Sequence, residues 1–164
     1  MPTLPTAAPT TARAIPDGLA DEICRYVASC EDLFSGNCGV FAIALWQRYG
    51  GAVVASCVKA LGRTELFGAI DHAAWRSPSG QLFDGSGRLP AHKLHADPRA
   101  GAQANPFALV EISALPGFIE ATLRATCPSL SVAEMTDYIV EAEQACSPAE
   151  EWFASDRAGA VSSD

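Results

Sequence analysis

Cys38, His72 and Asp84 are the residues of this 164-residue chain whose types and spacing could build a nucleophilic site. Cys38 stands where Ser35-Gly36-Asn37 gives way to an apolar helical pattern, so its thiol should begin a helix. Unpaired amides and the helix dipole at such a place favour a thiolate and can bind a developing oxyanion. The thiol is expected to be exposed there, so that replacing it by Ala would hardly change the melt. His72 opens a predicted strand, and a neutral imidazole beside a thiol can take its proton and return it to a leaving group. Asp84, twelve residues on, could fix the tautomer of that imidazole. Each residue also has a plain structural reading: a helix-start cysteine that packs, a half-buried strand histidine, and an Asp-Gly turn that ends a strand.

Hairpin geometry links His72 to Asp84. Ser77-Pro78-Ser79-Gly80 has turn chemistry, with Pro at the first turn position and Gly where a left-handed bulge residue belongs. If Pro78-Ser79-Gly80 is a three-residue loop, Ser77 pairs with Gln81 and Asp84 lies opposite Ala74. His72 is then on the same face, one diagonal step away, within reach of a long side chain. A two-residue turn would change the parity and set the two side chains apart.

On these residues the chain resembles the papain-like cysteine peptidases. Asn37-Cys38-Gly39-Val40-Phe41-Ala42 is similar to their nucleophile helix, in which an aromatic and a small residue follow the Cys. Asp71-His72-Ala73-Ala74-Trp75, with Ser79-Gly80-Gln81-Leu82-Phe83-Asp84-Gly85 after it, resembles the His strand and acidic strand of the transglutaminase-like branch. The order of Cys, His and third polar residue is also that of the bacterial NlpC/P60 amidases. The similarity spans about Gly36 to Arg88, roughly a third of the chain. It implies Cys38 as nucleophile, His72 as base and acid, and Asp84 as orienter. Papain proper has a Gln six residues before its Cys as oxyanion donor, where this chain has Asp32. Asn37 could supply the amide instead, together with the Cys38 backbone N–H. The NlpC/P60 group has an Asp before its Cys and a His as third residue, so no cell-wall substrate carries over.

The elements that must position these residues are legible in the pattern. A first helix should start after Asp17 as N-cap and set Leu19, Ile23, Val27 and Cys30 on one side. A second should run from Cys38 to about Tyr49, with Phe41, Ala44, Leu45 and Arg48 on one stripe and Gly50-Gly51 as its cap. Ala52–Val58, Glu65–Ile70, Asp71–Arg76 and Gln81–Asp84 read as three or four antiparallel strands, with Gly85-Ser86-Gly87 as a turn. The last third reads as helical: Ser131-Val132-Ala133-Glu134 is a capping box opening a helix to about Cys146, and Ser147-Pro148-Ala149-Glu150 repeats the signal. The whole is an α+β domain over residues 16–157, papain-like by resemblance, with a nucleophile-bearing helix on a small antiparallel sheet. Residues 1–15 and 158–164 read as flexible tails.

Composition narrows the function classes. The net charge is -8, yet through Ala133 ten Lys/Arg stand against eleven Asp/Glu; the excess of acid lies in the last 31 residues. No basic stripe is present to neutralise phosphates, which argues against nucleic acid. No long apolar run argues for a membrane span and no leader pattern for classical secretion. Six cysteines without a CxxC suit a reducing, cytoplasmic setting, with Cys24, Cys57 and Cys127 as small hydrophobes. A non-classical export signal would leave no mark in such a reading. His92 and His95 have metal-ligand spacing only if helical, and flanking prolines favour a surface loop, so no metal or other cofactor is expected. Trp75 and Trp46 could line a groove or fill the core. The expected activity is a thiol peptidase or amidase acting on a peptide or protein substrate. The same parts serve glutamine deamidases and acyltransferases, including bacterial effector toxins. A non-catalytic protein could also use the groove or the acidic helices to hold a partner.

Overall fold

The computed structural model describes residues 12–34, 36–57, 70–90 and 108–146. The candidate strand before Ile70, the His92–His95 pair, the second capping signal and most of both tails lie outside these residues. Four helices and five strands are described: α1 (Asp17–Cys30), α2 (Cys38–Tyr49), β1 (Ala52–Cys57), β2 (Ile70–Arg76), β3 (Leu82–Asp84), β4 (Gly87–Leu89), β5 (Ala108–Glu111), α3 (Phe118–Thr126) and α4 (Val132–Cys146). The strands form one antiparallel sheet in the order β4-β3-β2-β1-β5. The α+β class therefore holds.

α2 is the centre of the molecule. Cys38 to Trp46 are all buried, as is Tyr49, so the helix is enclosed on every side and carries no single apolar stripe. It packs between β2 on one side and α3 and α4 on the other. A helix apolar around its whole circumference has that destiny. Arg48, placed by periodicity on the apolar stripe, instead pairs with Glu143 of α4 and joins the two helices. Gly39 lets α3 come close: a Cβ there would stand 2.8 Å from Thr126 Oγ1 and 3.0 Å from Thr122 Cγ2. Gly50, at φ +75°, ends the helix as expected.

The β2–β3 hairpin has the three-residue loop. Ser77 N–H donates to Gln81 O at 2.8 Å, Gly80 N–H to Ser77 O at 2.9 Å, and Gly80 sits at φ +91°. Trp75 faces Phe83 and Arg76 faces Leu82, a register that sets Asp84 opposite Ala74. Alternation sends Ala73, Trp75 and Phe83 into the main core, and Val54, Ala74, Leu82 and Leu89 into a smaller cluster. Trp75 stacks at a tilt on Tyr49 and Phe83 and donates Nε1–H to Gly50 O, while Trp46 meets Phe118 edge-on. Both tryptophans fill the core and neither lines a groove.

Several local expectations are corrected. Pro16 is the N-cap of α1 and Asp17 its first helical residue. The Asp17 carboxylate is drawn instead to Ser79 Oγ at 2.7 Å and to Arg88, which ties the start of α1 to the hairpin turn and β4. Leu19, Ile23 and Val27 are buried with Ala20 and Cys24, but Cys30, the last residue of α1, is exposed. Cys127 is exposed too: it caps α3 at φ 47° and donates its thiol to Arg124 O. A C-cap in the left-handed region is ordinarily Gly or Asn, and an apolar context did not signal it. Before α1, Arg13 N–H donates to Arg48 O and Ile15 packs on the core. The capping box at Ser131 and Glu134 forms in both directions. No helix among the described residues is long and apolar enough to cross a membrane.

Candidate functional site

The three sequence-selected residues come together at the start of α2. Cys38 is the first residue of the helix, and its thiol hydrogen-bonds the His72 ring. His72 Nε2 lies 2.9 Å from Asp84 Oδ2, at the end of the hairpin away from its turn. With Nε2 committed to the carboxylate, Nδ1 is the nitrogen left for the thiol. Asp84 Oδ1 in turn accepts the Ser86 backbone N–H at 2.7 Å. Asp84 thus closes the β3–β4 turn with one oxygen and meets the imidazole with the other.

Beside His72 the sheet register shifts. Ser56 faces His72 but Cys57 faces Ile70, which leaves Asp71 as an extra residue in β2. A bulge of this kind re-aims the neighbouring side chain and bends the strand. Here it falls immediately before the imidazole that must meet α2.

The electrostatics favour charge separation. Burial opposes the charged form of Cys38, but the hydrogen bond and charge of His72, with the Ala73 and Gly39 backbone amides, outweigh it and hold the thiol below its ordinary range. Burial likewise opposes the imidazolium. The hydrogen bonds to Asp84 and Cys38 and the charges of both outweigh it and push His72 up from 6.5 to about 9. Both shifts run in the same direction, towards a thiolate beside an imidazolium. Cys24, fully buried near Asp84 and Asp21, moves the other way and stays a thiol, mainly through burial.

Two expectations at the site need correction. Cys38 is not exposed: it is 6% accessible and belongs to the core cluster. Enclosure of α2 extends to its first turn, so removing the sulfur should cost on the order of 1 kcal/mol instead of nothing. Asn37 does not offer its side-chain amide to an oxyanion. It is buried, and both Nδ2 hydrogens are engaged, with Asp32 O and Ser129 Oγ, each at 3.0 Å. Its Oδ1 accepts Ser129 N–H at 3.0 Å and Leu130 N–H at 3.4 Å. Asn37 is a clamp that binds the loop before α2 to the segment before α4. The Cys38 N–H lies in the first turn of α2, where no intrahelical acceptor exists.

Phe34 has no counterpart in the sequence reading. Its ring stacks on His72 with centroids 5.9 Å apart and planes 14° from parallel. Only a loop conformation brings the two together, so periodicity carried no signal for it. Among the described residues no group of three or more His, Cys, Asp or Glu converges as a metal would require.

Compared with family models, with curated proteins and with solved structures, the chain matches none.

Proposed function

We propose that the protein is a thiol hydrolase of the papain-like kind, a peptidase or amidase that cleaves an amide or isopeptide bond through an acyl-enzyme on Cys38. The observation that carries this reading is the relay from the Cys38 thiol through the His72 ring to the Asp84 carboxylate. The Cys38 thiolate attacks the carbonyl carbon, forming the C–S bond and an oxyanion that the Cys38 N–H at the start of α2 stabilises. As the C–N bond breaks, His72 gives its Nδ1 proton to the departing amine. Water then enters, His72 takes one of its protons, the hydroxyl attacks the thioester, and the thiolate leaves. Asp84 keeps the ring oriented and its charge balanced throughout.

The chain supplies its own controls for the test. At neutral pH iodoacetamide should alkylate buried Cys38 before exposed Cys30 and Cys127, because reactivity follows thiolate content. Peptide mass spectrometry reads the order directly, and Cys38→Ala should abolish turnover of activated acyl substrates. Labelling led by the exposed cysteines would defeat the reading.

A further inference from the structure

The loop between α1 and α2 holds an aromatic ring in an unusual place. Phe34 is 58% accessible and is the exposed large apolar side chain among the described residues. A single exposed apolar residue means little by itself. This one is fixed. Its backbone N–H donates to Asp32 Oδ1 at 2.9 Å, and its ring lies over His72. Gly85 makes room for it, since a Cβ there would stand 3.2 Å from Phe34 Cε2. An apolar ring that stacks on His72 and stays open to solvent is placed for contact with a ligand.

We propose that Phe34 is a specificity-determining residue, the apolar wall that receives the leaving-group side of the substrate and selects an aromatic or large apolar group there. The inference rests on the thiol-hydrolase reading and adds the side of the scissile bond on which recognition occurs. The imidazole that hands a proton to the leaving group must lie within hydrogen-bond reach of it. The next residue of an extended substrate is only about 3.3–3.6 Å further along. The Phe34 ring centre is 5.9 Å from that of His72, so a side chain on the leaving group falls against the phenyl face. An aromatic pair formed there would be worth about 0.5–1.5 kcal/mol beyond its burial. That is roughly a two- to tenfold preference.

Two acetyl thioesters test this, one releasing benzyl mercaptan and the other 2-mercaptoethanol. The acetyl group is common to both, so any preference comes from the leaving side. The rate constants for acylating Cys38 are divided by those for free cysteine, which removes intrinsic reactivity. The full-length protein should prefer the benzyl thioester severalfold; Phe34→Ala should collapse that ratio towards one, and Phe34→Tyr should keep it. A ring that merely positioned His72 would slow both thioesters together and leave the ratio intact. The inference is overturned if the ratio survives Phe34→Ala, if the unmodified protein shows no preference, or if neither thioester acylates Cys38. Acylation itself, with iodoacetamide, separates failure of this inference from failure of the underlying reading: selective labelling of Cys38 with acylation by either thioester removes Phe34 alone, whereas no acylation by either removes the thiol-hydrolase reading as well.

Discussion

Asp84→Asn appears conservative, and the hydrogen bonds of Asp84 show why it is not. Oδ1 holds the Ser86 N–H and Oδ2 holds His72 Nε2, so both oxygens act as acceptors. Asparagine has one acceptor and one donor group. If it keeps its oxygen on Ser86, Nδ2 faces His72 Nε2 and forces that nitrogen to be the unprotonated one. The ring proton then sits on Nδ1, facing Cys38, and a neutral ring of this tautomer cannot take the thiol proton. If the amide turns over, Nδ2 confronts the Ser86 N–H and that bond is lost. The first arrangement keeps both bonds but loses the working tautomer; the second loses a buried bond, at about 1–3 kcal/mol. The imidazolium also loses the carboxylate partner that helps raise it from 6.5 to about 9, a preference of ~3 kcal/mol in all. The pH at which Cys38 becomes half-alkylatable should therefore rise, and alkylation at pH 7 should fall at least about tenfold. Single-turnover acylation should fall further, by on the order of a thousandfold or more, as when a serine triad is left with the wrong tautomer. Circular dichroism and a urea melt would establish that the variant is folded. An unchanged alkylation profile and acylation rate in the folded variant would refute the argument and leave Asp84 as a turn residue.

Other consequences can be measured on the same protein. Alkylation of Cys38 should rise through a step below the ordinary thiol range and then stay flat, because Cys38 is held low by His72. Turnover should rise through that same step and fall again near pH 9, where His72 gives up the proton that the leaving group needs; a single rising limb would contradict the ion pair. Asn37→Ala removes the bonds that Asn37 makes to the Asp32 carbonyl and to the Ser129 and Leu130 amides, and should cost about 2–4 kcal/mol in urea unfolding. A loss under about 0.5 kcal/mol would show that the clamp carries no weight.

What the sequence discloses here follows from how local the controlling interaction is. The hairpin loop is set by Pro78 and Gly80, and a parity argument from it reaches the His72–Asp84 hydrogen bond. The start of α2 and the capping box of α4 are signalled within four residues of themselves. The role of Asn37 is not local, because Ser129 and Leu130, which it binds, are 92 and 93 residues away and a buried amide looks like any other Asn in the sequence. Strands β4 and β5, three and four residues long, are too short to show a period. The close approach of α3 to the first turn of α2 at Gly39 also escaped the local reading. Thr122 and Thr126 carry no sign of that role.

The reach of the Asn37 clamp has a consequence for synthesis. A chain emerging from its N-terminus displays Cys38, His72 and Asp84 well before Ser129 and Leu130 exist. Until they do, the loop leading into Cys38 has only Asp32 to hold the Asn37 side chain, and α3 and α4 are absent from the far side of α2. The thiol therefore has its chemical partners in sequence but not its scaffold. On the thiol-hydrolase reading, the loop before Cys38 gains its full set of partners only when the end of the domain folds back on its beginning, so activation of the thiol follows chain order.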